Sequence, residues 1–198
     1  MKLWSLSEEK KEVKAEPQAQ AETQDRSEIL RTKFIQKHFL KIKNLKNLVG
    51  DFPLPGQVYF LFTLKSFNAF TFIVYTIKNV GIIDCLSLST YSLNERILNS
   101  IIKWYDKGQI KQINITISDS IRHRMPKVND LLELYSADRN INITRAWNHS
   151  KITLIKVASH HFVIEGSGNF SENAMHEQYI WTNDPEVYDF RLSCITNT

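Results

Sequence analysis

Apolar residues from position 57 onward occur in two alternating patterns. Short, nearly continuous apolar runs predict buried strands, and stretches in which apolar residues recur every three or four positions predict helices packed on them. The predicted strands lie at 58–62, 80–88, 109–118 and 141–144. The predicted helices between them lie at 66–78, 94–105 and 128–135. Strands that alternate with helices indicate crossover connections and parallel neighbours.

Three further apolar segments follow close together, at 149–156, 162–165 and 178–181. The gaps between them are too short for helical crossovers, so these segments are predicted to be antiparallel neighbours on the same sheet. A last helix is predicted to start after Asp184-Pro185, because proline is favoured in the first turn of a helix. The whole pattern predicts the α/β class, with a mixed, largely parallel sheet and helices on both faces.

The N-terminal residues do not share this pattern. Residues 1–27 are rich in Glu, Lys, Gln and Ala and can bury little, which predicts a disordered or helical tail. Residues 28–56 combine apolar positions at helical spacing with basic side chains, which predicts a basic amphipathic helix and a linker. The basic face of that helix is either solvated or a contact for phosphates or a membrane surface. The catalytic domain is therefore predicted to be residues 57–198.

Composition and charge narrow the class of protein. The chain has 198 residues, of which 42% are hydrophobic, enough for a sizeable core in one domain. It has no run of ~18 apolar residues and no signal-peptide order, so we expect a cytoplasmic protein without a membrane partner. Residues 1–26 hold five basic and six acidic side chains, and the remaining 20 basic and 15 acidic side chains give the rest a charge of +5. This excess favours an anionic partner such as nucleic acid. Cys85 and Cys194 are expected to be free thiols rather than a disulfide.

Polar residues at the ends of the closing segments suit the chemistry of phosphate esters. His149 and Lys151 are two positions apart at the start of a predicted strand and therefore point to the same side. An imidazole can attack phosphorus while an ammonium neutralises the phosphoryl oxygens. The amide of Asn169 would add a neutral donor, and the carboxylate of Glu177 is a candidate to fix the tautomer of the imidazole.

Three short motifs in this region occur in a known order. They are His149-x-Lys151, Gly166-Ser167-Gly168-Asn169 and, before an apolar strand, Glu177-Gln178. Together they resemble the phospholipase D superfamily, in particular its nuclease-like branch with a single motif, whose pattern is His-x-Lys-x4-Asp, Gly-Ser-x-Asn and a downstream Glu. The resemblance covers about residues 57–189. It implies that superfamily's half-fold and cleavage of a phosphodiester through a phosphohistidine.

The resemblance also implies a role for each catalytic residue. His149 would be the nucleophile, and Lys151 and Asn169 would bind the phosphoryl oxygens. Ser167 would contact the phosphate or hold the histidine, and Glu177 would orient the histidine. No metal or other cofactor is implied. Because the chain carries one copy of the motif and the chemistry needs two histidines, the resemblance implies a homodimer with a composite active site.

Four further residues are candidates for binding substrate. Gly166 and Gly168 belong to the turn of the second motif. Arg122 and Arg124 follow the predicted third strand, where loops at strand ends commonly hold ligands. The two arginines could clamp a phosphodiester, or they could be an ordinary basic loop.

One position departs from the superfamily pattern, because Lys156 stands where the motif has Asp. Three hypotheses therefore stay open. The first is a metal-independent nuclease-like phosphodiesterase acting on DNA or RNA. The second is a phospholipase or phosphatidyltransferase acting on lipid. The third is a catalytically inactive homologue that binds nucleic acid.

Overall fold

The computed structural model describes residues 35–42, 52–63, 68–171 and 176–196. The eight strands of this described part are β1 Ile35–Ile42, β2 Gln57–Thr63, β3 Cys85–Thr90, β4 Ile113–Ser118, β5 Ile141–Ala146, β6 Ile152–Val157, β7 His160–Gly166 and β8 Gln178–Asn183. Its five helices are α1 Phe70–Asn79, α2 Glu95–Asp106, α3 Ile121–Arg124, α4 Pro126–Ser136 and α5 Pro185–Thr196. The predicted α/β class is confirmed.

The strands form one sheet in the order β1-β2-β8-β7-β6-β3-β4-β5. Three pairings are parallel, namely β1 with β2, β3 with β4 and β4 with β5. The other four are antiparallel. The sheet is therefore mixed, as predicted, but its parallel character is only partly confirmed, with three parallel pairings against four antiparallel ones. The reason is that the three closing strands lie between β2 and β3 in the middle of the sheet, where each of their pairings is antiparallel.

Helices cover both faces of the sheet, as predicted. On one face, α1, α2 and α4 pack through residues such as Phe72, Ile101 and Leu132 against the apolar side chains of the central strands. On the other face, Tyr188 and Ile195 of α5 pack in a second cluster with β6 and β7. β6 and β7, which flank the site, are thus packed from both sides.

Local sequence signals fix where several helices begin. The side chain of Asn94 accepts a hydrogen bond from the backbone N–H of Ile97 at 2.8 Å and caps α2. Asp184 caps α5 in the same way through the N–H of Val187 at 2.9 Å, and Pro185 follows as the first helical residue. The helix predicted after Asp184-Pro185 is confirmed.

The N-terminal prediction needs correction where the structure describes it. Ile35–Ile42 is a strand parallel to β2 and not part of an amphipathic helix. The backbone groups along the edge of β2 offer hydrogen bonds that a local helical pattern cannot anticipate, and tertiary pairing overrides such weak propensity. The rest of the predicted helix at 28–34 and 43–51, and the predicted tail at 1–27, lie outside the described residues.

None of the helices in the described ranges is long and apolar enough to cross a membrane. Both cysteines are free thiols, as expected; Cys85 is half-buried and Cys194 is exposed.

Candidate active site

The sheet topology gathers the predicted site residues at one edge. β6 runs antiparallel to β3, so β6 starts where β3 ends. β7 returns beside β6 and ends at the same edge, where β8 begins. The segments just before β6, just after β7 and just before β8 therefore meet. They carry the five residues proposed from the motifs: His149, Lys151, Ser167, Asn169 and Glu177.

His149 and Lys151 lie in the extended segment immediately before β6, with their side chains together. The Nζ of Lys151 is 3.4 Å from the Nδ1 of His149 and donates to the backbone carbonyl of His149 at 3.0 Å. The imidazole is exposed and the lysine is half-buried. The two side chains are close together, as expected, although β6 begins at Ile152, three residues after the predicted start, so that the motif precedes the strand.

Asn148 holds this segment against two neighbouring strands. Its Nδ2 donates to the Oγ of Ser89 at 3.0 Å, the carbonyl of Thr90 at 3.2 Å and the carbonyl of Thr116 at 3.3 Å. Its Oδ1 accepts from the backbone N–H of Ser150 at 2.9 Å. The predictions missed Asn148, because the three acceptors of its Nδ2 lie 32 to 59 residues away in the chain and only the fold reveals them.

Ser167 and Glu177 form a second pair across the ends of β7 and β8. The hydroxyl of Ser167 donates to the Oε2 of Glu177 and accepts from the N–H of Gln178 at 3.2 Å. Glu177 is buried, and its backbone N–H donates to the Oγ1 of Thr63 at 2.8 Å. Among the described residues, its carboxylate bonds to Ser167 and not to His149. The orienting contact expected between Glu177 and His149 is therefore not made in this arrangement.

The charges of Lys151 and Glu177 act on each other. Burial lowers the pKa of Lys151, and the negative charge of Glu177 partly offsets that effect. Burial, helped by the same carboxylate, raises the pKa of the Tyr179 hydroxyl well above its usual value, so Tyr179 stays neutral. The carboxylate of Glu177 thus acts electrostatically on both Lys151 and Tyr179.

The turn after β7 brings Asn169 towards the end of β3. The hydroxyl of Thr90 lies 3.4 Å from the Oδ1 of Asn169. The next residue, Phe170, bridges to Leu93, and its carbonyl accepts from the N–H of Asn94 at 2.9 Å. With Oδ1 facing Thr90, the Nδ2 of Asn169 is the end of the amide that can donate to a ligand.

Steric packing explains the presence of glycine at one position of the turn, Gly166. A Cβ at Gly166 would collide with the backbone oxygen of Gln178 and with the ring of Tyr179. Gly168 is buried. The tight approach of β7 and β8 therefore accounts for Gly166 without a ligand, and its role in binding substrate stays a prediction.

The two arginines predicted to bind substrate lie in α3 and have different surroundings. The guanidinium of Arg124 sits 4.0 Å above the centre of the Tyr91 ring, and that ring lies 4.8 Å from the ring of His149. Arg122 is exposed and paired with Asp119 at 3.0 Å. Arg124 therefore contacts the site through Tyr91, whereas Arg122 is ion-paired with Asp119, and a role in binding substrate stays a prediction for both.

Lys156, the departure from the motif, lies at the other end of β6. It is exposed and pairs across the sheet with Cys85 and His161. At ~3.3 Å per extended residue, the seven positions from His149 correspond to roughly 23 Å. The substitution therefore changes a charge far from the candidate site.

The described residues contain no group of three or more His, Cys, Asp or Glu side chains placed to hold a metal ion.

Comparison with known proteins finds similarity in structure. No protein-family model and no curated protein matches the chain. Polyphosphate kinase from Porphyromonas gingivalis superposes with a TM-score of 0.53 at 14% identity, over 71% of this chain and 26% of that one. TrmBL2, an archaeal chromatin protein, gives 0.48 at 12% identity over 77% and 55%. Phosphatidylserine synthase from Haemophilus influenzae Rd KW20 gives 0.45 at 13% identity over 71% and 38%.

The first of these comparisons shows the fold. The chain spans about a quarter of the polyphosphate kinase chain it matches. The superposition supports the α/β architecture of the described domain. At 14% identity the likeness concerns the fold alone, and the chemistry has to be argued from the site.

Proposed function

We propose that the chain is a metal-independent phosphodiesterase of the nuclease-like type that acts through a phosphohistidine at His149. The observation that carries the proposal is the position of the Lys151 ammonium, 3.4 Å from His149 Nδ1, at the edge where Ser167, Asn169 and Glu177 also lie. A nucleophile beside a fixed cation and a neutral amide donor is what attack on a phosphodiester requires.

The proposed reaction has two displacements. A ring nitrogen of His149 attacks phosphorus, a P–N bond forms, and the P–O bond to the leaving group breaks. The leaving oxygen takes a proton from a second imidazole, and water that returns a proton to that imidazole then hydrolyses the P–N bond. Lys151 and the Nδ2 of Asn169 stabilise the negative charge on the phosphoryl oxygens in both steps.

A bound phosphate would also rearrange the resting site. Because an ammonium group only donates, the nearby Nδ1 of His149 acts as the acceptor in the present arrangement. Phosphoryl oxygens would draw Lys151 away from Nδ1 and leave the imidazole free. Glu177 then contributes by balancing the charge of Lys151 and by holding Ser167 in place.

The second imidazole is proposed to come from a second copy of the chain. A twofold axis would bring two His149 side chains to one phosphate, since each chain supplies one motif. Nucleic acid is the proposed substrate because the chain outside residues 1–26 carries an excess of basic side chains. The distance of Lys156 from the site supports an active enzyme over an inactive homologue.

The test is cleavage of bis(p-nitrophenyl) phosphate, DNA and RNA in EDTA. We expect His149→Ala to abolish cleavage, and a quenched reaction of the wild type to contain phosphorylated His149. His123→Ala, which changes an exposed histidine of α3, is the matched control and should retain activity. Activity that survives His149→Ala would overturn the mechanism. Hydrolysis of phospholipid vesicles without cleavage of DNA or RNA would instead identify a lipid substrate.

A further inference from the structure

A small pocket lies beside His149, and apart from His149 none of its lining residues takes part in the proposed bond-making steps. Its volume is about 290 Å³, close to the lower end of the range of roughly 300–1,000 Å³ for small-molecule sites. The residues that line it are Tyr91, Ser118, Ser120, Trp147, Asn148 and His149. Its walls are aromatic rings, hydroxyls and an amide rather than aliphatic side chains, which suits a flat polar ring better than an acyl chain.

Trp147 is the most unusual member of this lining. Its side chain is 98% exposed, whereas Trp181 is fully buried in the core and Trp104 stacks on Phe70. Trp147 follows β5 at a bend, two residues before His149. An indole that stays in water contributes little to folding, because its apolar surface is not removed from solvent. The same surface is available to stack on a ligand in the pocket.

Arg124 does not line the pocket but places a positive charge next to it, through its contacts with the lining residues Tyr91 and Ser120. The guanidinium of Arg124 covers the ring of Tyr91 at 4.0 Å from the ring centre and donates to the Tyr91 carbonyl at 3.0 Å. Arg124 also donates to the hydroxyl of Ser120 at 3.0 Å. An aromatic surface beside a fixed cation is the combination with which proteins bind single-stranded nucleic acids.

We propose that Trp147 and this pocket hold an unpaired nucleobase of a single-stranded nucleic acid whose phosphodiester lies at His149 and Lys151. The inference deepens the proposed function and rests on it for the position of the phosphate. A base inside a duplex is covered by its neighbours and cannot stack on Trp147, so the pocket selects single strands. Stacking uses the face that every base has, so little sequence preference is expected.

The experiment compares binding of three labelled ligands in EDTA at fixed salt. They are an oligothymidylate with cleavage-resistant phosphorothioate linkages, its duplex with oligodeoxyadenylate, and an abasic strand of the same length and linkage. We expect Trp147→Ala to raise the Kd for the oligothymidylate about 5- to 150-fold, the equivalent of losing one base–aromatic stack. Trp147→Phe should restore most of the affinity. Leu134→Ala is the control, because it removes another exposed apolar side chain, 62% exposed on α4, and it should leave the Kd of all three ligands unchanged.

The abasic strand and the duplex separate stacking from charge. For the abasic strand, the wild type and all variants should have the same Kd, and the same should hold for the duplex. Both of these Kd values should be higher than the Kd of the wild type for the oligothymidylate. Unchanged binding of the oligothymidylate by Trp147→Ala, or equally tight binding of the abasic strand by the wild type, would overturn the proposal. Binding to vesicles of anionic phospholipid is measured in parallel. If Trp147→Ala loses binding to these vesicles but still binds the oligothymidylate as the wild type does, the proposal is overturned and Trp147 is assigned to a membrane surface.

The two proposals fail in distinguishable ways. If no phosphodiester is cleaved but Trp147→Ala weakens only base-dependent binding, the base site stands and the catalytic proposal falls. If single strands and duplexes are cleaved equally well by the wild type and by Trp147→Ala, the catalytic proposal stands and the base site falls.

Discussion

The Nζ of Lys151 lies 3.4 Å from the Nδ1 of His149, and burial lowers the pKa of this lysine. Lys151 therefore carries its charge below its folded-state pKa and loses it as the pH rises through that value, earlier than an ordinary lysine with a pKa of ~10.4. We predict that the rate of phosphodiester cleavage falls on the alkaline side at a pH below ~10.4, where Lys151 loses its proton. The measurement is kcat/KM as a function of pH.

A matched variant identifies the group responsible for this alkaline fall. Arginine stays protonated over the whole range, so Lys151→Arg should move the fall to higher pH even if the maximal rate drops. The same alkaline profile in Lys151→Arg would show that another group titrates.

The position of Lys156 predicts that the departure from the motif has little effect on catalysis. Lys156 is exposed at the far end of β6 from the site. We expect Lys156→Ala and Lys156→Asp to keep kcat/KM within about twofold, since distant exposed charges are largely screened by salt. Lys151→Ala should lower it about 100-fold or more, as expected for loss of a group that stabilises transition-state charge. A large gain of activity in Lys156→Asp would contradict this assignment.

Gly166 predicts a stability effect that is independent of any ligand. A Cβ there would collide with Gln178 and Tyr179, so Gly166→Ala should lower the free energy of unfolding by about 1–3 kcal/mol. Ser159→Ala, at an exposed position in the turn before the same strand, should stay within about 0.5 kcal/mol of the wild type. Urea denaturation followed by circular dichroism measures both, and equal stability of the two variants would contradict the prediction.

The turn between β6 and β7 predicts a stabilising substitution. Ala158 has a φ of 48°, in the left-handed region where a Cβ is unfavourable. Ala158→Gly should therefore raise the free energy of unfolding by about 0.5–1 kcal/mol. Ala137 at the end of α4 has a φ of −65°, so Ala137→Gly is the matched control and should be neutral or destabilising. A loss of stability in Ala158→Gly would show that the turn is not strained.

Local patterns predicted most elements of the domain because each depends on residues close together in the chain. Asn94 and Asp184 cap helices that begin at the next residue. Short apolar runs located the strands that lie between the helices. The same reasoning failed for Ile35–Ile42, because pairing with β2 depends on a strand that begins 15 residues later at Gln57. It also overestimated the parallel pairings, since strand order in a sheet is not written in any single segment.

The sequence by itself determined which side chains could attack and bind a phosphate, because the motif residues from His149 to Glu177 carry that chemistry in their functional groups. Tertiary structure alone decided how they meet. It placed the acceptor of the Ser167 hydroxyl at Glu177, pinned Asn148 across two strands, put Lys156 at the opposite end of β6 and left Trp147 in water beside His149. These relationships join residues far apart in the chain, and only the packing of the sheet brings them within hydrogen-bonding or stacking distance.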